Sequence, residues 1–173
     1  MIDAPRTHSY GMLLGAWIVV VIYALIHDQY LVSIAPEHFT VYNPPLWGVE
    51  NPRLLAAVYA FQASLSPSLL LGVACILASQ KRKKKRERIP VKYVMSRTVV
   101  VVLLTELVCL ASWLYVTTAS APLYPKSWYP DLTKPIIATQ TIQITCYCSA
   151  AFFSLLLILH LYLKENPKAD QSR

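Results

Sequence analysis

Charged residues are scarce in this chain, and that scarcity decides its class. They make up 14% of the 173 residues, whereas 55% are hydrophobic; in soluble domains roughly a quarter of the residues are charged. A soluble domain this apolar would lack the polar surface needed to cover its core. Long apolar stretches instead predict an integral membrane protein, because about 20 apolar residues cross the roughly 30 Å hydrocarbon core of a bilayer.

The chain also lacks a CxxC motif, any disulfide pattern and any internal repeat. Without a repeat, an inverted-repeat transporter has no support. The four cysteines lie in apolar stretches, and we interpret them as small packing residues; they are Cys75, Cys109, Cys146 and Cys148. Cys146 and Cys148 are roughly 200° apart around a helix axis, so they cannot hold one ion together.

Four apolar stretches are long enough to span a bilayer. We place transmembrane segments at 11–35, 54–79, 98–117 and 136–163, with loops at 36–53, 80–97 and 118–135 and a tail at 164–173. The predicted fold is all-α: a single integral membrane domain built as a four-transmembrane-helix bundle, with an ordered first extracytoplasmic loop.

A basic run, KRKKKRER, extends from Lys81 to Arg88 in the middle loop. Basic residues in short loops stay on the cytoplasmic side, so both termini are predicted to be cytoplasmic. The net charge of +7 resides largely in this loop, which argues against a nucleic-acid site. The expected partners of the run are the bilayer and its anionic lipid headgroups.

Small residues recur at four-residue spacing in two segments, a pattern that lets helix backbones approach closely in lipid. They are Ala56, Ala60, Ser64, Ser68 and Gly72 in the second segment, and Cys146, Ala150 and Ser154 in the fourth. We expect these ridges to pack within the bundle; the alternative is homo-oligomerisation.

Glu106 is the only acidic residue deep within an apolar segment. An ionised carboxylate at the bilayer centre costs at least about 2.5 kcal/mol, so we expect Glu106 to face the interior and to be protonated or paired. Counting the same depth on the other segments suggests Ser68 and Ser154 as partners. Glu106 is then either a proton or cation site or a structural hydrogen-bonding group.

A second polar group flanks the outer end of the first segment. Its members are His27, Asp28, Gln29, Glu37, His38 and Thr40. A reversal at Pro36 would bring the later residues back toward His27. Imidazoles and carboxylates bind zinc and iron, which makes a divalent metal site a hypothesis for one subset, namely His27, Asp28, Glu37 and His38. The spacing matches no established ligand signature, and no cofactor is predicted. The alternatives are a hydrogen-bonded loop anchor and a partner or small-molecule site.

The same region resembles a pattern found in uncharacterised bacterial membrane proteins with four spans. This chain reads YALIHDQ at 23–29, EHFT at 37–40 and NPP at 43–45, where that pattern runs Y-G-I-x-H-D-Q, then E-Y-F-T-x-x-H-P-P. His38 replaces a tyrosine, and Asn43 replaces a histidine, which removes a potential ligand. The resemblance implies a four-span fold in a bacterial inner membrane, and it implies no activity.

Three functions remain open at this point. The leading hypothesis is a small structural or accessory subunit whose extracytoplasmic loop binds a protein partner or ligand. The second is a proton- or cation-coupled small transporter that uses Glu106. The third is a membrane metal-binding protein or enzyme that uses His27 and its neighbours. Convergence of Glu106, Ser68 and Ser154 on a water-accessible cavity would favour transport.

Overall fold

The computed structural model describes residues 4–43, 45–80, 89–119 and 121–163. Its long helices are α1 (Ala4–Ile34), α3 (Pro52–Gln80), α4 (Val91–Ala119) and α5 (Lys134–Leu163), and the short α2 (Glu37–Thr40) follows α1. The four long helices are each apolar enough to cross a membrane, and no strand occurs in these ranges. The prediction of an all-α fold with four helices long and apolar enough to cross a membrane is confirmed for the described residues. The basic run at 81–88 and the tail at 164–173 lie outside the described residues.

The long helices pack as a ring. α1 packs mainly against α3 and α4 mainly against α5, while contacts of α1 with α4 and of α3 with α5 close the ring. α1 and α4 begin at the same end, because His8 Nε2 donates to the Ile89 carbonyl at 2.8 Å. At that same end, the Tyr93 hydroxyl oxygen lies 2.8 Å from Nε2 of His160, which is in the last turn of α5. We call this the far end, and we call the end where α1 leads into α2 the α2 end.

Two helices begin earlier than the sequence predicts. α1 begins at Ala4 instead of 11, and α4 begins at Val91 instead of 98. The added residues at the start of α4, 91–97, include Lys92 and Arg97. The Arg97 guanidinium lies 5.2 Å from the centroid of the Tyr93 ring. Hydropathy marks only the apolar part of a helix, because backbone hydrogen bonding continues into the polar flank.

The small-residue ridge of α3 is buried within the chain. Its members are Ala56, Ala60, Ser64, Ser68 and Gly72, all buried. A Cβ added at Gly72 would lie 3.1 Å from the backbone Cα of Leu13 on α1. That distance is shorter than ordinary van der Waals contact, so glycine at this position allows α1 and α3 to approach as a close-packed helix pair.

The connection from α2 to α3 is an ordered turn followed by a capped helix. Trp47 and Gly48 adopt positive φ values of 51° and 67°. Asn51 Oδ1 then accepts the backbone N–H groups of Arg53 at 3.0 Å and Leu54 at 3.1 Å. Pro52 occupies the first helical position, where its missing N–H is not needed.

The loop after α4 folds back onto the bundle at the α2 end. The hydroxyls of Tyr129 and Thr141 lie 2.9 Å apart in a buried contact. Tyr42, in the loop after α2, donates from its hydroxyl to Asp131 Oδ2 at 3.0 Å. The two loops at this end therefore form one connected surface.

Candidate metal centre

A polar cluster lies inside the bundle where α1, α4 and α5 meet. Tyr23 and His27 are one turn apart on α1 and share a face. The Tyr23 hydroxyl donates to Oε2 of Glu106 at 3.0 Å, and His27 Nδ1 lies 3.0 Å from the same oxygen. His27 is buried, whereas the Glu106 side chain keeps 27% of its surface exposed. The carboxyl group of Glu106 is therefore paired.

Two thiols complete the cluster. Cys109 lies one turn beyond Glu106 on α4, and its thiol donates to the Ile142 carbonyl of α5 at 3.8 Å. Cys146 lies one turn beyond Ile142, and its sulfur is 3.3 Å from the Tyr23 hydroxyl oxygen. Both cysteines are free and buried. Three helices thus bring a nitrogen and two sulfurs to one place.

The arrangement suits a thiophilic metal ion. The ligand atoms of His27, Cys109 and Cys146 all lie within 4.8 Å of one another, and no other group of three or more His, Cys, Asp or Glu ligands occurs in the described part of the chain. In a tetrahedral zinc site, neighbouring ligand atoms lie roughly 3.5–3.8 Å apart. Small side-chain rotations would therefore close the three atoms around an ion.

Most residues of the polar group predicted at the outer end of the first segment lie outside this cluster. Asp28 is buried beside His27, but Glu37 and Thr40 are exposed on α2. Gln29 donates to the Arg53 carbonyl at 2.9 Å and so links α1 to the start of α3. The four residues of the predicted metal set therefore do not form one group of ligands.

His38 connects the short helix α2 to α5. It is buried on α2, and its Nε2 bonds to Oε1 of Gln143 on α5. Its Nδ1 has no hydrogen-bond partner among the described residues. Burial lowers the pKa of His38 from the ordinary value, because a charged imidazole would be desolvated there, and the bond to Gln143 opposes this only in part. His38 therefore fastens α2 to the bundle while it is neutral.

Ser68 and Ser154 are not the partners that Glu106 has in the structure. Ser68 donates to the Ser64 and Leu65 carbonyls of its own helix. Glu106 instead pairs with residues of α1 near Cys146 of α5, eight residues from Ser154. No described hydrogen bond of Ser154 involves Glu106. The depth count behind that expectation used 98 as the start of the third helix, whereas α4 begins at Val91.

The sequence interpretation did not assign Tyr23, Cys109 or Cys146 to the site. A signal for part of it was available: Tyr23 and His27 are four apart, and Glu106 and Cys109 are three apart, so each pair shares a helix face. Nothing in the sequence shows that the two faces meet, because that depends on the register between α1, α4 and α5.

Comparisons with protein-family models, with curated proteins and with solved structures found no match to this chain.

Proposed function

We propose that this chain is an integral membrane protein that binds a thiophilic divalent metal ion, such as Zn²⁺, within its helix bundle. The observation that carries the proposal is the convergence of His27, Cys109 and Cys146, with ligand atoms within 4.8 Å of one another. Thiolate and imidazole are ligands that favour zinc and copper over magnesium or calcium. The proposed role is to hold or hand on such an ion at a site shielded from water.

Charge balance favours a divalent ion over Cu(I). Binding would release the protons of the two thiols, so Zn²⁺ with two thiolates carries no net charge. Cu(I) with the same two thiolates would carry one negative charge. An uncompensated charge in an apolar interior is costly, and Glu106 already contributes a carboxyl group beside His27. Zn²⁺ with two thiolates therefore adds no charge to that of the Glu106 carboxylate, whereas Cu(I) would add one, so this interior accommodates Zn²⁺ better than Cu(I).

The proposal is tested by metal titration of the purified, reduced and chelator-treated protein in detergent. Co²⁺ is the optical probe, because bound thiolate gives a charge-transfer absorption band, and Zn²⁺ then competes for the site. We expect saturation at one ion per chain and loss of the band when both Cys109→Ser and Cys146→Ser are present. Circular dichroism and elution volume check that the variant remains folded.

The other two cysteines provide a matched control. Cys75 lies in an apolar cluster at the far end and Cys148 is exposed, so Cys75→Ser with Cys148→Ser should leave the cobalt band intact. The proposal fails if the wild-type protein gives no thiolate band. It also fails if the Cys109 and Cys146 double variant binds as tightly, or if peptide mapping finds these two residues in a disulfide.

We also propose the orientation in the membrane. The basic run at 81–88 belongs to a short loop, which predicts that the far end and both termini are cytoplasmic in a bacterial inner membrane. The α2 end is then extracytoplasmic. A cysteine placed at the exposed Thr40 should react with a membrane-impermeant thiol reagent in intact spheroplasts; protection there, with labelling only after lysis, would reverse the assignment.

A second candidate function is the accessory role of the extracytoplasmic loops. It is favoured by their connection through Tyr42 and Asp131 and by Trp47, which is 73% exposed on the ordered turn. A photo-crosslinking residue placed at 47 in native membranes should give one reproducible protein adduct if the loop binds a partner. Adducts with lipid alone, as expected for an interfacial tryptophan, would argue against it. A crosslinker at the exposed Leu155 provides the lipid-facing control.

A further inference from the structure

The two nitrogens of the His27 ring have different surroundings. Nδ1 lies 3.0 Å from Oε2 of Glu106. Nε2 is buried and has no hydrogen-bond partner among the described residues. A carboxylate oxygen can only accept, so the ring nitrogen that pairs with it, Nδ1, carries a proton; in the neutral ring, which is the form that binds a metal, Nε2 then has a lone pair. That buried lone pair is left unsatisfied, which is costly unless something binds it.

Neighbouring aromatic rings hold the imidazole in this orientation. The Tyr23 ring lies 5.3 Å from the His27 ring, and the Tyr30 ring lies 5.0 Å away in an edge-on contact. The hydroxyl of Tyr23 also donates to the same Glu106 oxygen at 3.0 Å. Tyr23 thereby fixes both members of the His27–Glu106 pair, and ring rotation would break contacts on two sides.

This arrangement corresponds to one half of a carboxylate–histidine–metal unit. In such units the ligating histidine donates its second N–H to a carboxylate, which fixes the tautomer and makes the free nitrogen a better ligand. Here the carboxylate and the donating nitrogen are in place, and the two thiols of Cys109 and Cys146 lie within 4.8 Å of a ring nitrogen of His27.

We propose that Glu106 is a positioning residue that fixes the Nδ1–H tautomer of His27 and so directs Nε2 to the metal ion. The proposal rests on the metal site proposed above and assigns a role to the intramembrane acid. Glu106 does not bind the ion itself; it acts through the imidazole, and Tyr23 acts through Glu106. The same contacts explain how an acidic residue is accommodated in the middle of an apolar helix.

The variant that tests this role is Glu106→Gln, which keeps the size of the side chain and removes its acceptor-only character. An amide presents either an oxygen or an N–H to Nδ1, so it no longer selects one tautomer. We expect affinity for Co²⁺ and Zn²⁺ to fall by about 10- to 100-fold, the range found for outer-shell partners of metal-bound histidine. The number of ions bound and the cobalt spectrum at saturation should stay the same, because the ligands are unchanged.

Two further variants separate positioning from a general structural effect. Glu106→Asp retains a carboxylate and should recover part of the lost affinity. Tyr23→Phe removes one of the hydrogen bonds to Glu106 and should give a smaller loss than Glu106→Gln. Tyr23→Phe also keeps the proposal testable if Glu106→Gln does not fold. Equal affinity of the wild type, Glu106→Gln and Tyr23→Phe would overturn the proposal.

The tautomer can be measured without any metal. Nitrogen NMR of the protein labelled at histidine nitrogens, with His27→Gln used for assignment, should show the proton on Nδ1 in the wild type and a mixture in Glu106→Gln. A neutral ring with its proton on Nε2 in the wild type would overturn the positioning role, even if the metal titration succeeds. Conversely, a wild-type protein that binds no metal but shows Nδ1–H refutes the metal function while leaving the His27–Glu106 contact established.

Discussion

The two ends of the bundle are stabilised in different ways. The far end has an apolar interior, in which Met12, Leu71, Val94 and Leu161 pack together, next to the close approach of α1 and α3 at Gly72. The side-chain hydrogen bonds that His8 and Tyr93 make there each involve a single pair of residues near the helix ends. Between the middle of the bundle and the α2 end, the helices instead contain the polar network of Tyr23, His27, Glu106 and the two thiols. Close to the α2 end, the helices are therefore joined inside the bundle by side-chain hydrogen bonds as well as by apolar contacts.

The difference indicates how the chain combines a fixed bundle with a polar interior. Apolar contacts in lipid provide little preference for one register over another, so small residues and close backbone approach must set it. Polar groups in the same interior are costly unless each finds a partner. The far end therefore fixes the register that lets the polar groups near the α2 end meet.

Bound metal should stabilise the protein more than any single contact at either end. An ion that binds the folded state alone adds about 2.7 kcal/mol at a concentration 100 times its Kd. Unfolding by denaturing detergent, with and without Zn²⁺, measures the shift in the wild type. The variant with Cys109→Ser and Cys146→Ser should show no shift, whereas Cys75→Ser with Cys148→Ser should show the full one. A zinc effect that survives loss of Cys109 and Cys146 would place the ion elsewhere.

Gly72→Ala should give the next largest effect, because it forces α1 and α3 apart. The added Cβ would meet Leu13 at 3.0 Å to Cδ2 and 3.1 Å to the backbone Cα, and overpacking of this kind costs about 1–3 kcal/mol. Gly11→Ala is the matched control, since its Cβ would meet only the Val91 side chain at 3.4 Å. Equal unfolding free energies for the two variants would show that register is not set at Gly72.

The two ends also differ in how much of their structure the sequence could predict. Four apolar spans follow from hydropathy alone, and the ridge from Ala56 to Gly72 follows from four-residue spacing. The polar site depends on inter-helix register, which hydropathy does not contain. Tyr93 faces His160, and thirteen residues further along α4 lies Glu106, level with the turn of α5 that holds Cys146. A count begun at 98 instead leads to Ser154, two turns away.

The proposed chemical role of the cysteines could not be predicted from the sequence for the same reason. Cys109 and Cys146 are small residues in apolar helices, and each alone is interpreted correctly as a packing residue; both belong to the apolar cluster around Leu31 and Phe39. Their chemistry comes only from being placed beside each other and beside His27. Spacing within one helix cannot show this, because each residue comes from a different helix.

Stability at the α2 end should depend on pH through His38. Its pKa in the folded protein is lowered below the ordinary 6.5 by burial, so the unfolded chain binds a proton more readily. The stabilisation is therefore complete above about pH 6.5 and is lost as pH falls toward the folded-state pKa, by up to about 1.4 kcal/mol per pH unit. His38→Gln, which cannot titrate, should have a flatter profile between pH 7.5 and about 5.5. Parallel profiles for the two proteins would show that α2 is not held by neutral His38.

Asn51→Ala should give the smallest of these effects and should act on the α2 end alone. The Asn51 side chain caps α3 by accepting the N–H groups of Arg53 and Leu54, and loss of such a cap costs about 1 kcal/mol. Asn51→Asp keeps the acceptor and should be close to neutral. Because the cap lies far from Gly72, Asn51→Ala and Gly72→Ala should add in the double variant if the two ends are energetically separate. A double variant that departs from additivity by more than about 0.5 kcal/mol would mean that the register set at the far end also depends on how α3 begins.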